Sequence, residues 1–138
     1  MYVNSNFDKV LDIAQNYGLN LITRPEYLAD DKTWTQDVIN HTDEVIGNLE
    51  DEDIIVVLQA NSPQITPEKI NECIDMFLKN NLWQVNTVDE FMINNGAIQV
   101  LKRKVKYHKG KANYNGVVIT DWVDVHNMED IKKLEKII

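Results

Sequence analysis

The sequence predicts an α/β fold, a three-layer sandwich around a mostly parallel sheet. Two observations carry that prediction. Segments with strand character alternate with segments of helical period as far as Val88, an order that packs helices on a parallel sheet. In the middle of that order Ile54-Ile55-Val56-Val57-Leu58 is an unbroken apolar run, the pattern of a strand buried on both faces.

The elements follow in order. Tyr2 to Ser5 reads as a short strand. A helix runs from Phe7 to about Tyr17, capped by Ser5 or Asn6, with Phe7, Val10, Leu11, Ala14 and Tyr17 on one face. Gly18 ends it, and Leu19 to Thr23 forms the next strand. Pro25 holds Arg24 extended, and a polar loop leads to about Thr33. A second helix reaches about Asn48, with Trp34, Val38, Ile39, Thr42, Val45, Ile46 and Leu49 at helical spacing. Asp53 to Gln59 holds the apolar strand. Thr66 caps a third helix whose first turn contains Pro67 and which runs to about Lys79. Trp83 to Val88, Ala97 to Leu101 and Val117 to Thr120 are strands. Asn127 caps the last helix, with Asp130 as acidic partner to its free amides. With no internal repeat or linker, the 138 residues are expected to form a single domain, 1–138.

Composition narrows the class. No apolar run approaches the ~18 residues of a membrane helix, and the N-terminus lacks a basic-then-apolar signal. The lone Cys73 excludes an internal disulfide and fits a reducing, cytoplasmic compartment. Its apolar neighbours Ile70, Ile74 and Phe77 predict a packed thiol. A net charge of −8 argues against nucleic acid as a partner. The charge is uneven. Lys102, Arg103, Lys104, Lys106, Lys109 and Lys111 cluster, while acids collect at Glu50-Asp51-Glu52-Asp53. The basic run suits a solvated hairpin, or a rim attracting an anionic nucleotide or sugar carboxylate.

Ligands of such sheets bind beyond the carboxyl ends of the strands. Arg24, Gln59 to Ser62 and Asp124 fall at or just after strand ends. Gln59 can offer an acceptor and two donors there, which suits a pyrimidine edge or a sugar hydroxyl, or simply neighbouring loop backbone. Asn61-Ser62-Pro63 is turn chemistry. Asn95-Gly96 is a tight turn entering a strand, with glycine permitting close backbone approach.

In this order Arg24-Pro25 with Leu28-Ala29 and Asp31, Leu58-Gln59-Ala60-Asn61-Ser62-Pro63, Asn95-Gly96-Ala97-Ile98 and Asp124-Val125-His126 with Asp130 resemble the CMP-sugar synthetases. These are the cytidylyltransferases that activate sialic acids and Kdo. The resemblance spans nearly the whole chain and implies a Rossmann-like, nucleotide-diphospho-sugar-transferase-like fold, N-terminally reduced. It implies nucleotide binding by Arg24, Asp31, Thr35 and Gln59, a sugar contact from Asn95, and Mg²⁺ (or Mn²⁺) at Asp124 and His126. Three features depart from the family. Its Gly-rich phosphate loop has no counterpart among the residues here, and His126 stands where a second metal-binding aspartate is found. Imidazole is a poor magnesium ligand. The segment between Val88 and Asn95 is also short where the family inserts a dimerising arm.

The resemblance therefore implies a cytidylyltransferase-family domain, related to enzymes that transfer CMP from CTP to an acidic sugar, that lacks the means to do so alone. The alternatives are a non-catalytic nucleotide- or sugar-binding or interaction module, and one half of a split enzyme. Its partners would be CTP or CMP, an acidic sugar, and either a second copy or a chain supplying the phosphate loop. His41 and His108 belong to no recognisable constellation.

Overall fold

The computed structural model describes residues 1–107 and 114–137, with the side chains of Lys106 and Tyr107 left aside. His108, Lys109 and Lys111 lie outside the described residues. The chain divides into two compact units, Met1–Glu50 and Asp51–Ile138. Both combine helices with strands, so the α/β class holds.

The first unit begins as a strand-helix-strand motif. β1 (Tyr2–Ser5) and β2 (Asn20–Thr23) pair in parallel, Tyr2 opposite Asn20 and Ser5 opposite Thr23. α1 (Asp8–Asn16) connects them and packs on both strands through Leu11 and Ala14. Phe7, Val10 and Tyr17, predicted on the same face, are exposed. The cap also differs from expectation. The Ser5 hydroxyl accepts from the Phe7 amide at 3.1 Å, one residue before the helix, and Phe7 itself occupies the cap position. At the other end Gly18 N donates to Gln15 O (2.9 Å) and Leu19 N to Ala14 O (3.1 Å). These paired bonds consume the helix's last carbonyls and turn the chain into β2.

After a 3₁₀ turn (Glu26–Leu28) comes α2 (Thr35–Ile46). Its buried side chains are Ile39 and Asp43, whereas Trp34 and Val45, assigned to its inner face by spacing, are exposed.

The second unit is built on a four-stranded sheet ordered β3-β5-β4-β6, with β3 Ile54–Leu58, β4 Gln84–Val88, β5 Asn94–Lys102 and β6 Asn115–Ile119. The expected mostly parallel sheet is corrected here to a mixed one. β5 runs antiparallel to both β3 and β4, and only β4–β6 is parallel. The physical reason is the connection between β4 and β5, Asp89 to Ile93. A parallel crossover needs a dozen or more residues, so a link this short permits only an antiparallel return. Asp89 Oδ1 closes the link by accepting from Phe91 N (2.9 Å) and Ile93 N (2.8 Å). β3, β4 and β6 consequently share one direction and β5 alone is reversed.

A second correction concerns β3. Its apolar run predicts a strand buried on both faces, but β3 is an edge strand. Ile54, Val56 and Leu58 are 42%, 36% and 37% exposed.

α3 (Pro67–Lys79) covers one face of the sheet. Thr66 Oγ1 accepts from Lys69 N at 3.3 Å, as its position before Pro67 predicts. Cys73 and Phe77 from α3 meet Val85, Ile98, Val100 and Val118, all essentially inaccessible, and Ile70, Met76, Leu82 and Trp122 surround them. Removing a side chain such as Ile98 from this packing costs about 2–5 kcal/mol. Gly116 lets β6 approach closely, since a Cβ there would stand 2.6 Å from Leu82 Cδ1 and 2.9 Å from Met76 Sδ. The Cys73 thiol, excluded from solvent, is pushed up to about 11 chiefly by burial and secondarily by the Glu72 carboxylate.

α4 (Met128–Ile137) starts as predicted. Asn127 Oδ1 accepts from the amides of Glu129 (2.8 Å) and Asp130 (3.2 Å), while Asp130 Oδ2 accepts from those of His126 (3.0 Å) and Asn127 (3.2 Å). This reciprocal arrangement satisfies amides at the helix start that have no partner within the helix.

Candidate functional site

The shared direction of β3, β4 and β6 gathers their carboxyl ends, together with the start of β5, at one end of the second unit. Gln59, Asn95, Asp124 and His126 all fall on segments that meet there. Gln59 N donates to Ala97 O (3.0 Å), Thr120 N to Val88 O (2.8 Å) and Val125 N to Asn61 O (2.9 Å), so the loops after β3 and β6 are stitched to the sheet and to each other. Gln64 Oε1 adds an anchor by accepting from Val123 N at 2.7 Å.

Asp124 is held from two sides. Asn61 Nδ2 donates to its Oδ1 at 2.6 Å, and the His126 ring Nε2–H donates to its Oδ2 at 2.7 Å. His126 remains largely exposed, while the Asp124 side chain is partly covered. An imidazole oriented by a carboxylate can accept or deliver a proton. The same arrangement bears on the metal. Magnesium requires several hard oxygen ligands in near-octahedral geometry. Here both oxygens of Asp124 are engaged by protein donors, and no cluster of three or more His, Cys, Asp or Glu side chains is found among the described residues. As arranged, Asp124 and His126 do not fit a magnesium ion.

Asn95 is bound into the sheet. Its Oδ1 accepts from Thr87 Oγ1 (2.6 Å) and from Ala97 N (3.3 Å), and its Nδ2 donates to Thr120 Oγ1 (2.7 Å). Thr87 Oγ1 in turn accepts from Ile98 N at 3.0 Å. Thr87 and Thr120 are buried. This network ties β4, β5 and the end of β6 together where the β4–β5 register shifts, between Asn86 and Val88. The Asn95 carboxamide is thus employed largely within the fold.

Gln59 differs. It is half-buried, and among the described residues its side-chain amide has no hydrogen-bond partner. It lies against Gly96, whose φ is +70° and whose missing Cβ would stand 3.0 Å from Gln59 Nε2. The tight turn expected at Asn95-Gly96 is thus a left-handed glycine inside β5 that admits a neighbouring carboxamide.

The remaining predicted nucleotide residues belong to the first unit. Arg24 leaves β2 with its amide bonded to Ser5 O (2.9 Å), and its Nε and Nη2 donate to Asn4 Oδ1 (2.9 Å) and Asn4 O (2.7 Å). Partial burial lowers its guanidinium below the ordinary value. Asn4 also donates to Thr42 Oγ1 at 2.8 Å, so Arg24 is anchored in a β1–β2–α2 network. Among the described residues Arg24 makes no ion pair with Glu26 or Asp31. Asp31 is exposed, and its neighbour Asp30 organises the loop, accepting from Lys32 N (3.0 Å) and Thr33 Oγ1 (2.7 Å). The Thr33 hydroxyl, first, and the Lys32 and Thr33 backbone amides hold the Asp30 carboxyl below its usual range. Thr35 is the exposed first residue of α2.

The described part of the basic cluster is paired rather than presented to solvent. Glu52 takes both Lys102 (3.0 Å) and Lys104, and Arg103 approaches Asp51 at 3.5 Å. Asp51 and Glu52, distant in sequence, thus meet the basic run. Lys104 also lies 5.7 Å from the centroid of the Trp83 ring.

Sequence reasoning treated Asn61 as turn chemistry and did not single out Thr87 or Thr120. Asn61 lies 63 positions from Asp124, and no local pattern announces such a pair. No helix among the described residues is long and apolar enough to cross a membrane. Compared with protein-family models and with curated proteins, the chain has no match.

Proposed function

We propose that this chain is a cytidylyltransferase-like domain that binds a pyrimidine nucleotide, CTP or CMP, and does not transfer CMP by itself. The finer fold assignment, a three-layer, nucleotide-diphospho-sugar-transferase-like domain, belongs to the same proposal. The observation that carries it is the Gln59 carboxamide. It is half-buried, has no side-chain partner among the described residues, and stands at the end of the sheet where ligands of α/β proteins bind. A half-buried amide without a protein partner is available to a ligand, and a base edge offering one donor and one acceptor matches it. An amide matches cytosine or adenine equally in this respect. The preference for a pyrimidine rests on the resemblance of the Leu58–Pro63 segment to the CMP-sugar synthetases.

Two observations argue against transfer by the chain alone. Phosphoryl chemistry depends on positioned positive charge around the phosphates. Each Asp124 oxygen already accepts a hydrogen bond, from Asn61 or His126, and Lys102, Arg103 and Lys104 are drawn to Glu52 and Asp51. An acidic sugar remains the second ligand class, with less support from Asn95, whose amide serves the sheet. One observation favours the split-enzyme alternative. Among the described residues β1 pairs with β2 alone, which leaves its other edge without a strand partner at Tyr2–Ser5. Release of pyrophosphate from CTP and an acidic sugar only after a second chain is added would support that alternative.

The test is an NMR titration of isotope-labelled protein with CMP and with AMP. Saturating shifts of the Gln59 side-chain amide and the Gly96 backbone amide with CMP, and weaker ones with AMP, are the expected result. Unmoved Gln59 and Gly96 signals at millimolar CMP would overturn the proposal.

A further inference from the structure

We infer that the open edge of β3 is a self-complementary interface, through which two copies of the chain join antiparallel into one continuous sheet. The backbone fixes which groups face outward. Asp53 O accepts from Arg103 N at 2.8 Å and Gln59 N donates to Ala97 O at 3.0 Å. Alternate residues of a strand point their N–H and C=O to opposite edges, so the odd-numbered residues serve β5. Ile54, Val56 and Leu58 therefore direct both backbone groups away from β5, and among the described residues these groups have no backbone partner.

The strand lacks the usual protection of an edge. Ile54–Leu58 contains no lysine, proline or bulge, and its even-numbered side chains are the exposed ones.

A second copy of the chain fits this edge in one register. With a two-fold axis at Val56, Val56 faces Val56 of the other copy and Ile54 faces its Leu58. All the outward groups then pair, in about six hydrogen bonds. Apolar side chains stand opposite apolar ones. Charge selects the antiparallel orientation. Glu50-Asp51-Glu52-Asp53 precedes the strand, and Gln59-Ala60-Asn61-Ser62 follows it. In the two-fold register each acidic run faces the uncharged segment of the other copy, whereas parallel pairing would set the acidic runs side by side.

Sedimentation across a dilution series, combined with amide hydrogen exchange, tests the inference. The chain is expected to sediment at twice its monomer mass and to dissociate on dilution. The amides of Ile54, Val56 and Leu58 should be protected in the dimer and released with it. Val56→Lys places like charges face to face on the axis and should raise the dimer dissociation constant more than about tenfold. Val56→Thr keeps a β-branched, uncharged residue and should remain dimeric, which separates loss of pairing from loss of fold. A monomer at every concentration would overturn the inference. So would a dimer whose Ile54, Val56 and Leu58 amides exchange freely, or protection of these amides only on adding an extended segment of another protein.

Discussion

Replacing Gly96 by alanine tests the geometry of the candidate site most sharply. Two separable costs arise. The φ of +70° is left-handed, and there an L side chain meets its own carbonyl oxygen, a cost of about 1–2 kcal/mol. The added Cβ would also stand 3.0 Å from Gln59 Nε2 and 3.3 Å from its Cδ. That neighbour is the far end of a flexible side chain, and it can swing away for little energy. Backbone strain should therefore dominate stability, with a loss of about 1–2 kcal/mol. For a unit of this size each kcal/mol corresponds to roughly 4–8 °C in Tm. The displaced carboxamide should instead appear in ligand binding. Urea denaturation of wild type, Gly96→Ala, Gln59→Ala and the double variant separates the two costs. The expected stability coupling is near zero, while CMP affinity falls in both single variants. A Gly96→Ala protein as stable as wild type would refute the backbone argument. Full rescue of its stability by Gln59→Ala would show that the clash, and not the φ angle, sets the cost.

Other outcomes follow from the same structure. Asn95→Ala should destabilise the second unit by about 1–3 kcal/mol in thermal or chemical denaturation, because it leaves the buried Thr87 and Thr120 hydroxyls short of partners. Asn127→Ala should cost about 1 kcal/mol by the same measurement, through loss of the α4 cap. Cys73 should resist a thiol reagent in the native protein at neutral pH and react on unfolding. Its pKa is raised on folding from 9.0 to about 11, so the stability it contributes is complete below pH 9 and is lost as pH rises towards 11. Denaturation midpoints falling across that interval in wild type, and less in Cys73→Ser, would bear this out.

Local signals in the sequence carried well where they are chemically self-contained. Thr66 before Pro67 and Asn127 three residues before Asp130 mark helix starts because the partners lie within one turn. The placement of Gln59, Asn95 and Asp124 near strand ends was likewise legible, since it depends only on where strands stop. The sheet's polarity was less so. Alternating strands and helices suggest parallel pairing, but the brief link from Asp89 to Ile93 reverses β5, and connection length outweighs the general alternation. The run Ile54–Leu58 misled for a different reason. An apolar strand looks the same whether it lies inside a sheet or at its edge. Periodicity placed Trp34, Ile39 and Val45 inward on α2, but of these three only Ile39 is buried, and Asp43 joins it. Pairs that join distant segments, such as Asn61 with Asp124 and Glu52 with Lys102, leave no local trace at all.

The central claim is that Gln59 reads a pyrimidine base without help from a metal. Calorimetric titration with CTP, against ATP, in the presence and absence of Mg²⁺, tests it most directly, with Gln59→Ala alongside wild type. The account predicts CTP-selective binding that is insensitive to Mg²⁺ and weakened about tenfold or more by Gln59→Ala, as the loss of a hydrogen-bonded base edge implies. Equal affinity for CTP and ATP, binding that requires Mg²⁺, or a Gln59→Ala protein that binds as wild type does would contradict it.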